Sequence, residues 1–280
     1  MKIYNIKSHA KINLSLNITG KFFNNMHKVE SIVSFIKLAD LIKISEIKSK
    51  NHVISFQGKF SKGISKKNSI TKVLYFLDQK NYLGNKKYRI SVTKNIPQKS
   101  GMGGGSMNSA AIINFFLKKK FISSNEAKRI AKKIDSDTIL GLNSKSKILY
   151  CDNSITEIKK KINFYVVLVK PKFGCSTKKI YLSNKVFTKR KYFKNKKLKI
   201  TRKIIANSKN DLEKSAFKLY PILANLKKRL ISLNKGEFLR LTGSGSAIVV
   251  YFNSKVSAEK AVKIYKRKLN KNWCILSKII

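Results

Sequence analysis

Several residue types that mark common protein classes are scarce in this chain of 280 residues. Three prolines and thirteen glycines are too few for a collagen-like chain or a Pro/Gly-driven disordered one. The apolar segments, such as residues 164–169, fall far short of the roughly 20 residues that a membrane span needs. Lys7 and Lys11 interrupt any apolar region near the start, so we expect neither a signal peptide nor a membrane partner.

Cysteine is scarce as well. Cys151, Cys175 and Cys274 are odd in number and widely spaced, and none belongs to a CxxC pair. This arrangement argues against both a disulfide framework and a zinc site. It fits a reducing compartment, so we expect a cytoplasmic protein.

Acidic residues are few, and the charge is strongly one-sided. The chain has 13 Asp and Glu against 62 Lys and Arg, which gives a formal net charge of +49. Such an excess commonly indicates polyanion partners. Here the basic residues are mostly Lys and are spread over the whole chain, together with many Ile, Asn and Phe. This spread favours solvated Lys-rich surfaces over a nucleic-acid interface. The charge could still attract a phosphorylated substrate.

The hydrophobic pattern predicts mixed strands and helices. Ile12, Leu14, Leu16 and Ile18 alternate with polar residues, which is the period of a half-buried strand. Pro221 interrupts the helical pattern of residues 211–233, so we expect two helices there. Further strands are predicted at 29–38, 41–47, 88–92, 162–169, 238–241, 247–252 and near 274, with a turn at 39–40, and further helices at 106–117, 125–134 and 258–269. The segregation of strands and helices indicates an α+β fold.

A glycine-rich segment carries the strongest functional signal. Four glycines, Gly101, Gly103, Gly104 and Gly105, follow a predicted strand that ends at Pro97, and they open an apolar helix. Without Cβ atoms, such a loop can bring backbone N–H groups close to an anion, and the helix N-terminus adds partial positive charge. The spacing matches neither GxxxxGK[ST] nor GxGxxG. The plain alternative is a flexible turn of small residues.

Three shorter segments hold candidate site residues. Lys11 and Asn13 lie on the polar face of the first strand, Asp135 and Asp137 follow a helix, and Gly243 lies in a small-residue loop between two strands. Each has an ordinary structural interpretation, namely a solvated lysine, a helix-ending aspartate and a tight turn. Asp135 is expected to be such a surface group at the helix end, whose replacement by Asn changes kcat only slightly.

Together and in this order, the four segments resemble the GHMP kinase family, which includes galactokinase and the homoserine, mevalonate and phosphomevalonate kinases. The resemblance runs from about residue 8 to about residue 252. The glycine-rich loop identifies only the superfamily. The loop at 26–31, with His27, and the segment Gly174–Thr177 are most like the members that phosphorylate a cytidine-diphosphate-linked methylerythritol.

The resemblance implies a two-lobed α+β GHMP kinase fold. A ribosomal-S5-domain-2-like lobe is expected at residues 1–153 and a ferredoxin-like lobe at 154–280, with ATP held by the glycine-rich loop between them. The implied reaction is ATP-dependent phosphorylation of the substrate's 2-hydroxyl in non-mevalonate isoprenoid biosynthesis. The expected ligands are ATP, Mg²⁺ and the small-molecule substrate, and the chain is expected to be a monomer or a homodimer.

Matching the family's motifs residue by residue implies the following roles. Asp137 accepts the proton of the substrate hydroxyl, and Lys11 orients that hydroxyl and holds its charge, because phosphoryl transfer needs mainly positioning and charge compensation. Ser106 lies near Mg²⁺, and His27 recognises the cytosine edge. The nucleotide-binding residues are Pro97, Gly101, Gly103, Gly104, Gly105, Ser106 and Asn108. The substrate-binding residues are Asn13, Met26, His27, Thr177, Tyr181 and Gly243.

The chain departs from the family's pattern at two important places. Around the catalytic aspartate the usual Gly and Pro are missing, and Asp135 offers a rival carboxylate to Asp137. Met26 replaces a Tyr that is expected to stack on cytosine, although a thioether also packs well on a ring. Two alternative functions stay open: another GHMP small-molecule kinase, or a basic RNA-binding α+β protein.

Overall fold

A computed structural model describes residues 2–194, 199–234 and 236–280. The chain divides into two compact units. Unit 1 contains the residues up to Lys11, Leu38–Gln98 and Gly103–Ser144, and unit 2 contains Ile12–Lys37, Lys99–Met102 and Lys145–Ile280. The division falls inside the glycine-rich loop. A lobe boundary after residue 153 stays a prediction.

Two long strands, β1 (Ile3–Lys21) and β2 (His27–Ile47), pair with each other and contribute residues to both units. In unit 1, residues 41–47 of β2 pair antiparallel with β4 (Lys87–Thr93). The strand β3 (Val53–Gln57) pairs parallel with β4. Unit 1 thus holds the mixed part of a six-stranded sheet.

Three helices cover the apolar side of unit 1: α1 (Ser69–Gln79), α2 (Gly104–Lys118) and α3 (Ser124–Ile134), followed by a 3₁₀ helix at Thr138–Leu142. Side chains cap α1 and α3 at their starts, because Asn68 and Ser123 each accept backbone N–H bonds in capping boxes. The buried faces of the helices pack against residues of β2 and β4, such as Ile44 and Ile90, and form one core.

The strands of unit 2 are β5 (Lys147–Leu149), β6 (Ile155–Glu157), β7 (Tyr165–Lys170), β8 (Phe238–Leu241), β9 (Ile248–Phe252) and β10 (Trp273–Lys278). Four of them form an antiparallel sheet in the order β10-β7-β9-β8. The strand β5 pairs antiparallel with residues 31–33 of β2, and β6 pairs antiparallel with β5. All five residues of β9 are buried, so this strand lies inside the unit.

The helices of unit 2 are α4 (Thr177–Ser183), α5 (Arg202–Asn207), α6 (Leu212–Leu219), α7 (Pro221–Asn234) and α8 (Lys255–Lys268). Leu223 and Leu230 of α7 pack into the same core as Val167 of β7 and Val250 of β9. Pro221 begins α7, where a missing N–H costs nothing. In the part of the chain that the structure describes, no helix has the length and apolarity to cross a membrane.

The α+β prediction is confirmed, and most predicted elements are present within a few residues of their expected ends. The predicted turn at residues 39–40 is wrong, because β2 continues through it. The turn was predicted because the polar Asp40 stands between apolar residues. It is instead fully buried and accepts hydrogen bonds from the backbone N–H groups of Asn95 and Ile96. Because the buried carboxylate has hydrogen-bond partners, the strand can continue through residue 40 without a turn.

The expectation of a half-buried first strand is also wrong, because both faces of residues 12–18 are buried. A later segment of unit 2 covers the polar face. The hydroxyl groups of Ser15 and Tyr192 lie 2.7 Å apart, and the N–H of Thr188 donates to the carbonyl of Ile18. This burial depends on contacts about 170 residues away along the chain, so the local pattern could not show it.

Candidate active site

A buried lysine and a half-exposed aspartate form the first cluster, which lies in unit 1. Lys11 Nζ lies 3.1 Å from Asp137 Oδ2, and the two side chains are 5% and 36% exposed. The strand β1 supplies Lys11, and Asp137 stands immediately before the 3₁₀ helix. A buried ammonium needs such a partner. The carboxylate remains open enough to meet a ligand's hydroxyl.

The start of α2 lies against Lys11. Gly103 is the N-cap residue with φ of +66°, and a Cβ there would lie 3.0 Å from Lys11 Cγ. Only glycine takes this conformation easily and leaves the lysine stem in place. Because Gly103 has no side chain, it cannot cap the N–H groups of the first turn of α2. These donors are therefore available to an anion.

A second buried ion pair supports the same loop. Lys94 and Asp40 are 3% and 0% exposed, and Lys94 Nζ donates to Asp40 Oδ2. A Cβ on Gly104 would lie 3.3 Å from Lys94 Nζ and 3.1 Å from Ile96 Cγ2. The sequence pattern did not indicate that Lys94 and Asp40 lie beside the loop. The local signal was the position of Lys94 three residues before Pro97.

The first turn of α2 presents several polar groups. The Ser106 hydroxyl donates to Asp135 Oδ2 at 3.0 Å, and the Gly105 carbonyl accepts from Ser69 Oγ at 3.1 Å. Asn108 is 2% exposed, and its Oδ1 has no hydrogen-bond partner among the described residues. Such an orphaned buried acceptor is unusual, which is consistent with a site that a ligand or water completes.

Asp135 differs from the expectation of a surface group at the helix end. Asp135 does end α3, but three hydrogen bonds hold its carboxylate in place. Oδ1 accepts from the backbone N–H groups of Asp137 and Thr138 at 3.0 and 2.8 Å, and Oδ2 accepts from Ser106. We name Lys11, Ser106, Asp135 and Asp137 the Lys11–Asp137 cluster.

In unit 2, Asn13 and two glycine turns form a compact group. Asn13 is 4% exposed; its Nδ2 donates to Ser31 Oγ at 2.8 Å, and its backbone N–H donates to Thr242 Oγ1 at 3.0 Å. A Cβ on Gly243 would lie 3.1 Å from the Gly101 carbonyl, and a Cβ on Gly101 would overlap the Thr242 carbonyl. These glycines therefore allow two backbone segments to touch.

Three aromatic rings form the second cluster, also in unit 2, which we name the His27 ring cluster. The centroid of His27 lies 5.2 Å from that of Tyr181 and 6.4 Å from that of Phe187. His27 Nε2 is buried without a hydrogen-bond partner among the described residues. Burial, and secondarily the charge of Lys21, lowers the pKa of His27. The imidazole is thus neutral at pH 7 and leaves a polar atom for a ligand.

Two residues in this part of unit 2 are exposed: Met26, which precedes His27, is 57% exposed, and Phe187 is 44% exposed. The hydroxyl groups of Thr177 and Ser244 lie 2.8 Å apart. The sequence did not indicate a role for Phe187, because this residue stands among many lysines, a composition that is typical of an exposed loop. Its ring beside His27 is a tertiary contact.

Family models match both halves of the chain. The GHMP kinases N terminal domain matches residues 68–145, and the GHMP kinases C terminal domain matches residues 190–271. The chain is 49% identical, over its full length and that of the relative, to the 4-diphosphocytidyl-2-C-methyl-D-erythritol kinase of Pelagibacter ubique. It is 31% identical to the enzyme of that name from Clostridium botulinum, with 90% of this chain and 92% of the relative covered.

A solved structure agrees with the fold. The crystal structure of a 4-(cytidine 5'-diphospho)-2C-methyl-D-erythritol kinase covers 99% of both chains with a TM-score of 0.79 at 19% identity. This likeness concerns the fold. The chain belongs to the GHMP kinases.

Proposed function

We propose that this chain transfers the γ-phosphate of ATP to the 2-hydroxyl of 4-diphosphocytidyl-2-C-methyl-D-erythritol, a step in isoprenoid precursor biosynthesis. The observation that carries the proposal is the contact between buried Lys11 and half-exposed Asp137, beside the uncapped start of α2. Similarity over the full length to a relative of that name supports the choice of substrate.

In the proposed reaction, Asp137 acts as the base. Its carboxylate accepts the hydroxyl proton while the hydroxyl oxygen bonds to the γ-phosphorus, and the bond between that phosphorus and the β,γ-bridging oxygen breaks to release ADP. Lys11 Nζ holds the carboxylate and compensates charge on the reacting oxygens. No covalent enzyme intermediate is needed.

The glycine-rich loop is the proposed nucleotide site. The backbone N–H groups of residues 101–108 would bind the triphosphate, as helix N-termini commonly do, and Pro97, which has no N–H, would border the site. The hydroxyl oxygen of Ser106, whose proton is donated to Asp135 Oδ2 at 3.0 Å, fits the preference of Mg²⁺ for oxygen ligands next to nucleotide phosphates. Bound Mg²⁺ would neutralise phosphate charge during transfer.

The His27 ring cluster is the proposed cytidine site. Neutral His27 offers a donor and an acceptor to a base edge, and the Tyr181 and Phe187 rings offer faces on which a base can stack. Met26 takes the position of the family's stacking Tyr, and Phe187 supplies an aromatic ring nearby. Asn13, Thr177 and Gly243 are the remaining proposed substrate contacts.

The proposal is tested by a coupled assay of ADP release with the full chain, Mg²⁺ and ATP. The acceptors are the cytidylated substrate, 2-C-methyl-D-erythritol 4-phosphate, mevalonate and homoserine. We expect turnover with the cytidylated compound at least about tenfold above that with the others, the scale of lost specific hydrogen bonds. Preferred turnover of another acceptor would assign the chain to a different kinase of the family.

A further inference from the structure

Asp135 contacts two groups to which the proposed reaction gives separate tasks. Oδ2 accepts from Ser106 in the first turn of α2, and Oδ1 accepts from the N–H groups of Asp137 and Thr138. One carboxylate thus joins the helix of the nucleotide loop to the turn that presents the base. Of the four described residues in these contacts, only Asp135 bonds to all the others.

The contacts make Asp135 a poor candidate for the base itself. A carboxylate has about four acceptor positions, and three of those on Asp135 are already occupied by protein donors. Asp137 instead pairs with Lys11 and is 36% exposed. The sequence left two rival carboxylates, and the hydrogen bonds give them different roles.

We propose that Asp135 is a positioning residue that sets both Ser106 and Asp137 for phosphoryl transfer, an inference that rests on the proposed function. The Ser106 hydroxyl donates its proton to Oδ2, which keeps the oxygen lone pairs available to a nucleotide-bound cation. A carboxylate that accepts a hydrogen bond from a metal-binding group commonly orients that group in this way. The bonds to Oδ1 fix the backbone from which the Asp137 side chain projects.

The departure from the family's pattern fits this role. A glycine at residue 135 has no side-chain acceptor and could hold neither Ser106 nor the backbone N–H groups of the turn. In this chain an aspartate takes that position, so the link between α2 and the turn is a feature of its own sequence. The competing explanation is a purely structural end of α3, and it predicts a loss of stability alone.

The test uses two variants of the full chain. Asp135→Asn keeps an oxygen for the two backbone N–H donors, which select the orientation of the amide, and it places an NH₂ group against Ser106. Asp135→Ala removes both sets of bonds. The readouts are calorimetric dissociation constants for ATP with and without Mg²⁺, and the single-turnover rate at saturating ATP and cytidylated substrate.

We expect Asp135→Asn to weaken binding of Mg·ATP by about tenfold while binding of metal-free ATP stays unchanged, in line with the 10–100-fold cost of losing such a supporting partner. Asp135→Ala should also weaken binding of Mg·ATP and, in addition, lower the single-turnover rate by at least about tenfold. The double variant Ser106→Ala/Asp135→Asn should bind Mg·ATP no more weakly than Ser106→Ala, because the two residues act as one unit.

Ser123→Ala is the matched control. It removes the N-cap of α3, the helix that ends at Asp135, so it should lower the melting temperature without changing the Mg²⁺ dependence or the rate.

Equal losses for ATP with and without Mg²⁺, or wild-type values in Asp135→Asn, would overturn the positioning role. Should Asp135→Ala fail to fold, Asp135→Asn still decides. A wild-type chain that is inactive on the cytidylated substrate contradicts the proposed function instead, and the binding measurements still test Asp135.

Discussion

The Lys11–Asp137 cluster and the His27 ring cluster differ in how far their polar groups are satisfied. In the first, Lys11, Ser106 and both carboxylates already have protein partners at 2.8–3.1 Å. In the second, His27 Nε2 has none among the described residues, and Phe187 is 44% exposed. Groups that are fixed before the reaction suit charge stabilisation, whereas an unfilled polar group suits recognition of a ligand.

This contrast assigns different consequences to the two clusters. Changes at Lys11 and Asp137 should lower the rate at saturating substrate. Changes in the His27 ring cluster should lower affinity and base selectivity and leave the saturated rate near wild type.

The largest effect is expected for Asp137→Asn, which removes the proposed base and keeps the side chain's size. We expect kcat to fall by about 10²-fold or more, the contribution of general-base help. Asp78→Asn is a matched control in unit 1, since Asp78 also lies 3.1 Å from a lysine, Lys87, and is 33% exposed. Steady-state kinetics of both variants would contradict the assignment if Asp78→Asn lost the activity and Asp137→Asn kept it.

Gly103→Ala tests the loop through its backbone. The alanine would have to keep a left-handed backbone conformation, which costs about 1–2 kcal/mol. Its Cβ would lie 3.0 Å from Lys11 Cγ, so the lysine side chain would have to move. Displacing the ammonium from Asp137 should reduce kcat by up to about 10²-fold, the effect of a misplacement of roughly 1 Å. Gly63→Ala is the control, because Gly63 also has a positive φ, of +78°, but has open space around it. Equal kinetics of the two variants would contradict this role of Gly103.

A smaller effect is expected for base selectivity. CDP should compete with the cytidylated substrate at least about tenfold better than UDP, because uracil would leave buried polar groups unpaired. His27→Ala should remove most of this preference, and competition assays on both proteins measure it. Equal inhibition of the wild-type chain by the two nucleotides would remove His27 from base recognition.

The smallest effect is a pH dependence of cytidine binding. Burial lowers the pKa of His27 below its ordinary value of 6.5, so the neutral form persists to a lower pH in the folded protein than in the unfolded chain. CDP affinity should therefore be constant above pH 6.5 and fall below the folded pKa, as the ring loses its acceptor. Calorimetry at several pH values, with His27→Gln as a titration-free control, checks the sign. Tighter binding to the wild-type chain in acid would contradict the neutral-imidazole account.

The elements with a clear period were predictable, and those set by distant contacts were not. Pro221 divided two helices as expected, and Gly104–Lys118 matches the predicted apolar helix closely. The turn at Asp40 was mispredicted, because the partners of that carboxylate come from residues 94–96. Helix α1 was missed, although Asn68 and Thr71 form a capping box before its buried face.

The candidate site shows the same limit. The resemblance to the kinase family implied that Lys11 and Asp137 act together, and the structure brings them to 3.1 Å. The role of Asp135 was not predictable, since a helix-ending aspartate commonly faces solvent and its bond to Ser106 spans 29 residues. Phe187 likewise reaches His27 only through the fold of unit 2. Local patterns thus identified residue types, and tertiary contacts determined their partners.

The most direct test of the division between chemistry and recognition compares Asp137→Asn with His27→Ala in one experiment. For each variant, calorimetry gives the dissociation constant of the cytidylated substrate, and single-turnover phosphorylation gives the rate at saturation. We predict that Asp137→Asn loses about 10²-fold or more in rate with nearly unchanged affinity, and that His27→Ala loses about tenfold in affinity with nearly unchanged rate. Exchanged effects, or equal losses of rate in both variants, would contradict the account.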